Sequence, residues 1–490
     1  MPPWVILAVL LAYFGVLMLI GRLTARNAHK ETFFLGERRS PWYVVAFGMI
    51  GASLSGVTFI SIPGQVGSNQ FSYFQVVLGY VLGYLVIAFV LLPLYYRLNL
   101  TSIYTYLEQR FGPHAHKTGA AFFLLSRTIG AAFRLFLVAL VLHEFLLKPL
   151  ELHFSVAVFV TIALVYLYTF RGGIRTIVWT DTLQTFFMLM TAVFSFRYIG
   201  IEMEWSLGEM AARIQESGYS QIFFLDDWRS GQFFVKQFLS GAFITIVMTG
   251  LDQDMMQKNL SCRNEREARK NMLWLSGALL VVNLLFLGLG ALLFSYARKN
   301  GIDIPERTDR LFPILALEYF GPLAGMAFLL GLTAAAYSSA DSALTSLTTS
   351  FCVDFLGMDK RPDNPQDQRT RYGVHVGFAL VLSLVIIGFY LLNDDAVINA
   401  LFKAAGYTYG PLLGMFAFGI LTRKTGYDPA IPWICVAAPV ICYFLNLHSE
   451  ALLFGYRFGF EMLLVNGLLT FLGIWAVSSR SSAMAARPSS

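Results

Sequence analysis

Thirteen stretches of this chain are long and apolar enough to cross a bilayer, and nothing else in the sequence limits the fold so strongly. A hydrocarbon core takes roughly 20 residues of helix. Such runs recur near 4–20, 42–66, 72–97, 118–147, 154–170, 176–198, 233–251, 272–297, 319–355, 372–392, 396–421, 431–447 and 456–476. Hydrophobic residues make up 56% of the 490 residues and charged ones 13%, too few polar groups to cover a water-facing surface. A soluble enzyme, a disulfide scaffold and a disordered protein are thereby excluded. Every backbone polar group must be satisfied within the membrane, so runs of this length predict an all-α integral membrane protein of about 13 transmembrane helices.

Orientation follows from the basic residues. The first stretch lacks a basic start and is followed by Arg22, Arg26 and Lys30, the reverse of a cleaved leader. It is expected to be a retained span with the N-terminus outside. On that reading the inner loops carry about three times the Lys and Arg of the outer loops, as the positive-inside rule requires. The net charge of +6 then reflects topology, not a nucleic-acid partner. Asn99-Leu100-Thr101 and Asn259-Leu260-Ser261 resemble glycosylation sites but fall on the inner side. The acidic, aromatic outer loop 199–232 predicts an amphipathic surface helix, and 478–490 a disordered tail. Cys262, Cys352, Cys435 and Cys442 form no metal or redox pattern and read as structural thiols.

Ionisable groups inside spans cost about 2.5–3.5 kcal/mol each at a helix centre, so each is a functional candidate. The deep ones are Arg127 and Arg134 on the fourth span, Asp181 on the sixth, Asp341 on the ninth and Lys403 on the eleventh. Arg127 and Arg134 lie two turns apart on one face. The plainer alternative is that these residues pair with one another structurally.

Two spans are rich in small residues and hydroxyls. The second reads Gly48-Met49-Ile50-Gly51-Ala52-Ser53-Leu54-Ser55-Gly56-Val57-Thr58-Phe59, then Pro63-Gly64, which weakens the helix at its middle. Unwound backbone in a membrane is tolerated where it lines a cavity or binds something, and freed carbonyls suit a small hard cation. On the ninth, Ala335, Ser338, Ser339, Ser342 and Thr345-Ser346 follow helical spacing in one oxygen-rich stripe. Close helix packing explains such stripes in many proteins, but packing does not call for the carboxylate of Asp341. Other patterns fail: His143-Glu144 lacks the second histidine of a zinc helix, and Gly288-Leu289-Gly290 follows no strand. Gly79/Gly83 and Gly410/Gly414 read as packing pairs.

Four stretches, in order and in register with this topology, resemble the sodium:solute symporter family. They are Phe34-Leu35-Gly36-Glu37-Arg38 with the broken second span; Leu100-Thr101-Ser102-Ile103-Tyr104 through Gly112; Arg171-Gly172-Gly173-Ile174-Arg175 leading to Trp179-Thr180-Asp181-Thr182-Leu183-Gln184; and the Ser338-Ser339 stripe. The resemblance runs from about Phe33 to Trp475. It implies a LeuT-type core of 5+5 inverted repeats with broken helices, at about 42–198 and 233–421 within a transport core 31–425. Residues 1–30 would be an N-terminal accessory span and loop, and 426–477 two C-terminal accessory spans.

Carried over by motif, a first Na⁺ would be held by the carbonyls of Gly51, Leu54 and Ala335 and the hydroxyls of Ser338 and Ser339. A second Na⁺ would meet Asp181, Ser338, Asp341 and Ser342, although relatives with that site carry Ser where this chain has Asp341. The resemblance assigns solute contact to Ser53, Ser55, Thr58, Gln75, Arg134, Thr245 and Lys403, with Arg134 at the position whose arginine holds the carboxylate in sialic acid symporters. The expected function is sodium-driven import of a small anionic carboxylate, a sugar acid or monocarboxylate, across a bacterial inner membrane, two cations moving with each solute. The alternatives are a neutral sugar or inositol with one Na⁺, proton coupling through Asp181 or Asp341, and a solute-gated channel or sensor. No nucleophile–base or metal constellation points to an enzyme.

Overall fold

The computed structural model describes residues 3–25, 30–148, 151–170, 172–362, 364–392, 397–452, 456 and 458–478. The tail 479–490 and Arg171 lie outside the described residues, as does the Ser55 side chain. The chain is helical, and no β-strand occurs among the described residues.

Among the described residues seven helices are long and apolar enough to cross a membrane, or nine when each of two bent pairs is taken as one span. We number the long or apolar helices in chain order: α1 (Pro3–Thr24), α2 (Trp42–Leu54 and Thr58–Asn69), α3 (Tyr73–Arg97), α4 (Pro113–Leu142), α5 (Phe154–Thr169), α6 (Ile174–Glu202), α7 (Phe234–Gly250 and Gln253–Leu260), α8 (Glu265–Lys299), α9 (Gly321–Phe355), α10 (Pro365–Leu391), α11 (Gly410–Leu421), α12 (Asp428–Leu447) and α13 (Met462–Ala476). Large apolar side chains such as Leu82, Phe89, Trp433 and Phe444 stay exposed on the outer faces, where lipid would meet them. The most enclosed helix is α9, which packs on α6, α4 and α2.

The two bends differ in how visible they are in the sequence. α2 bends by 50° between Leu54 and Thr58, as its glycines and hydroxyls predict. At this bend Thr185 of α6 approaches closely: Gly51 N donates to Thr185 Oγ1 at 3.0 Å, and a Cβ on Gly51 would lie 2.3 Å from that oxygen. The second bend, 64° in α7, is a correction to the expectation that the seventh span simply ends at 251. The chain turns at Gly250–Asp252 and continues as the buried half-helix Gln253–Leu260.

Polar partners repair this second break. Tyr95 Oη donates to the Gly250 carbonyl and Tyr104 Oη to the Leu251 carbonyl, each at 2.9 Å. Asp252 caps the new half, its Oδ1 accepting from Asp254 N at 2.9 Å. Ile103 N and the Thr101 carbonyl bond the Gln253 amide at 2.9 Å each. The Leu100–Gly112 motif is therefore a clamp on the break in α7.

The other motifs also act at junctions. Gly173 opens α6 at φ 52°, and a Cβ there would lie 2.5 Å from the Phe33 carbonyl, so glycine is required. In the outer loop, Leu207–Glu216 forms the expected surface helix, started by a Ser206/Glu209 capping box. Hydrogen bonds from the Ser206 backbone and side chain hold the Glu209 carboxyl below its usual range. Gly79 and Gly83 let α3 meet α7 at backbone distance, and Gly410 and Gly414 do the same for α11 and α13.

Candidate functional site

Both bends face one cavity. Ala52, Ser53, Leu54 and Thr58 line it from α2, and Ile244, Thr245, Met248 and Thr249 from α7. Tyr73, Tyr80 and Tyr84 of α3 form a wall, and Arg127 and Arg134 enter from α4. Of the expected solute contacts, Ser53, Thr58, Arg134 and Thr245 converge here.

The two arginines have different surroundings. Arg127 forms a buried ion pair with Asp254 on the second half of α7. Arg134 is only 8% exposed, and among the described residues no carboxylate lies within ion-pair distance of it. Its Nε has no hydrogen-bond partner. Neither Asp181 nor Asp341 neutralises it, since both are engaged elsewhere. A buried guanidinium left unpaired is costly, and its fork of donors fits a carboxylate.

Two expected contacts are not brought to this cavity. Gln75 is buried, but its amide ties α3 to the outer loop: Nε2 donates to the Gln232 carbonyl at 2.9 Å and Oε1 accepts from Phe224 N at 3.2 Å. Its hydrogen-bonding capacity is taken by backbone the sequence could not pair with it. Lys403, expected deep in a span, is exposed and lines a separate cavity with Tyr407, Asn446 and Met462. The helix that carries it, Val397–Thr408, packs on α4.

Of the residues expected to hold sodium, Gly51 and Leu54 lie on the first half of α2, Asp181 on α6 and the rest on α9, which packs on both. Ala335, Ser338, Ser339, Asp341 and Ser342 are all buried. The hydroxyls of Ser339, Ser342 and Thr345 have no hydrogen-bond partner, although each such oxygen costs about 1–3 kcal/mol when left unsatisfied. A hard cation would use such oxygens. Ser338 Oγ donates to Asp181 Oδ1 at 2.6 Å.

At Asp181, one of the four residues expected for a second sodium, an ammonium is already present. Lys258 Nζ lies 2.7 Å from Asp181 Oδ2, and each side chain is 1% exposed. Asp341 is surrounded by donors: Tyr168 Oη at 2.9 Å, Thr180 Oγ1 at 3.3 Å and Gln184 Nε2 at 3.5 Å on Oδ2, and Ser342 N at 2.6 Å on Oδ1. The alternative pairing of Asp341 with Arg127 or Lys403 does not occur. Sequence reasoning missed Asp252, Asp254 and Lys258 because they fell in what read as an inner loop. Three charges within seven residues after a Gly-containing apolar run were the available signal. Among the described residues no cluster of His, Cys, Asp and Glu is built to hold a metal.

Comparison with known proteins agrees with this architecture. The chain is similar to the sodium/sialic acid symporter NanT of Aliivibrio fischeri, with 25% identity over 94% of this chain and 92% of that one. It is 24% identical to the sodium/sialic acid symporter SiaT of Proteus mirabilis, over 88% of this chain and 87% of that one. Human sodium-coupled monocarboxylate transporter 1 is 25% identical over 80% of this chain and 64% of its own. Among solved structures, a substrate-bound, outward-open Na⁺-coupled sialic acid symporter superposes with a TM-score of 0.82 at 20% identity, covering 97% of this chain and 99% of that one. A nucleobase-cation-symport-1 family transporter in a closed conformation gives 0.59 at 16% identity, over 92% and 94% of the two chains. Residues 33–431 match the sodium:solute symporter family, so the chain belongs to that family of sodium-coupled membrane transporters and is not an enzyme.

Proposed function

We propose that the protein imports a small organic anion, a sugar acid such as sialic acid or a monocarboxylate, driven by sodium. The observation that carries this reading is Arg134: a buried guanidinium in the central cavity with no carboxylate within ion-pair distance among the described residues. The relatives' names support it, since sialic acid and monocarboxylates are carboxylates. A neutral sugar would leave that charge unpaired.

In this reading the solute carboxylate meets Arg134, and Ser53, Thr58 and Thr245 bond its polar groups, with Ser55 beside them in sequence. Sodium sits at the α2 bend among the carbonyls of Gly51, Leu54 and Ala335 and the hydroxyls of Ser338 and Ser339. The cavity, about 80 Å³, is well below the roughly 300 Å³ and more that pockets for such solutes occupy, so loading requires the helices to part. Four shorter apolar helices lie beside the nine spans among the described residues, which favours about thirteen crossings. The two bent helices, α2 and α7, each open one five-helix repeat of a transport core 31–425, which favours 5+5 inverted repeats. The excess of inner basic residues favours an outside N-terminus in a bacterial inner membrane.

A chain of contacts joins the two sites. Arg134 and Arg127 share a face of α4; Arg127 pairs with Asp254, one turn before Lys258; Lys258 pairs with Asp181, which accepts from Ser338. Solute and sodium thereby act on the same half-helix of α7. The test is uptake into proteoliposomes of labelled sialic acid, monocarboxylates and neutral hexoses, with sodium or choline outside. Sodium-dependent uptake of a carboxylate is expected. Sodium-independent uptake, or uptake of hexoses alone, would overturn the reading.

A further inference from the structure

We infer that Lys258 is the resident second cation of this transporter: its ammonium occupies the Asp181 position in place of a second sodium ion, so one Na⁺ moves with each solute. The inference rests on the sodium-symport reading and specifies its stoichiometry.

Of the four residues expected to hold a second ion, both carboxylates are already engaged, and the Ser342 hydroxyl alone is left without a hydrogen-bond partner. Asp181 spends Oδ2 on Lys258 and Oδ1 on the Ser338 hydroxyl, at 2.7 and 2.6 Å. Asp341, the other carboxylate of the expected site, accepts from four protein donors. Both Asp181 and Lys258 are 99% shielded from solvent, so an entering Na⁺ would have to displace the ammonium within the packed interior. Expelling it would leave a lysine unpaired in the interior, which is strongly unfavourable.

Lys258 is also held in place by its helix. Four residues earlier Asp254 pairs with Arg127, and the half-helix starts from the Asp252 cap, whose Oδ2 accepts from Tyr409. The half-helix thus reaches α4 through one buried ion pair and α6 through another. An ammonium on that anchor supplies the charge that neutralises Asp181, yet it is covalently tethered and cannot cross with the solute.

The consequence is a symporter driven by the sodium gradient without the membrane potential. One Na⁺ with one monoanion carries no net charge, so a tenfold sodium gradient supports about tenfold accumulation. A second Na⁺ would give about a hundredfold before any contribution from the potential.

The experiment counts radioactive sodium bound per chain on the purified full-length protein, with no solute present. The expected result is one Na⁺ per chain with a non-cooperative titration. Lys258→Arg, which keeps a resident cation, is expected to stay at one. Lys258→Ala, which opens the carboxylate, is expected to bind two, and adding Asp181→Asn to it returns the count to one. Two Na⁺ per chain in the parent or in Lys258→Arg would overturn the inference, as would a folded Lys258→Ala that still binds one. If Lys258→Ala does not fold, the parent and Lys258→Arg counts decide. A parent that binds no sodium while Lys258→Ala gains one would sink the sodium-symport reading and uphold the role of Lys258.

Discussion

Replacing Arg134 by glutamine should move stability and binding in opposite directions. This guanidinium is 8% exposed, and among the described residues no carboxylate lies within ion-pair distance of it. Glutamine keeps hydrogen-bonding capacity and removes the uncompensated charge, so the empty protein should gain on the order of 1 kcal/mol and melt at a higher temperature. Binding should suffer instead. Truncating one partner of a buried, hydrogen-bonded charge pair costs about 2–5 kcal/mol, which at about 1.4 kcal/mol per tenfold weakens solute affinity by roughly 30-fold to several-thousand-fold. Arg134→Lys retains charge without the planar fork and should fall between the two. Thermal unfolding of purified protein with sodium, with and without sialic acid or a monocarboxylate, reads both effects at once. If Arg134→Gln lowers the melting temperature of the empty protein, the guanidinium has a structural partner and the reasoning fails. An undiminished carboxylate-induced shift would refute it equally.

Other substitutions probe the remaining parts. Ser339→Ala removes a buried oxygen that has no protein partner, so sodium affinity should drop in titrations while melting of the sodium-free protein is unchanged or improved. Tyr104→Phe orphans the Leu251 carbonyl at the α7 break and should cost about 1–3 kcal/mol, read as a lower melting temperature. Gly79→Ala would put a Cβ 2.0 Å from the Phe238 carbonyl, forcing α3 and α7 apart and costing about 1–3 kcal/mol or more, with transport lost along with folded yield. All four cysteines are free and buried, so a polar maleimide should label none of them in the folded protein and all of them after denaturation.

Much of the molecule was readable from the chain alone, because crossing a bilayer is a local requirement. Each span must be apolar along its own length, so the long helices, the exposed apolar faces and the glycine-rich bend of α2 are properties of consecutive residues. Arg134 and the Ser338–Ser339 stripe stood out for the same reason: a costly residue in an apolar run is visible without its neighbours. The bend of α7 and the half-helix Gln253–Leu260 were not readable. Asp254 and Lys258 look like loop residues until Arg127 and Asp181, more than 70 residues away in sequence in each case, neutralise them. Charge compensation is a pairwise property of space, and hydropathy scores each residue by itself. Gln75 and Lys403 show the converse, since neither lines the cavity that Arg134 enters. A polar side chain in a span announces that it needs a partner or an exit to water, and only the packed helices decided that Gln75 would bind loop backbone and Lys403 would face outward.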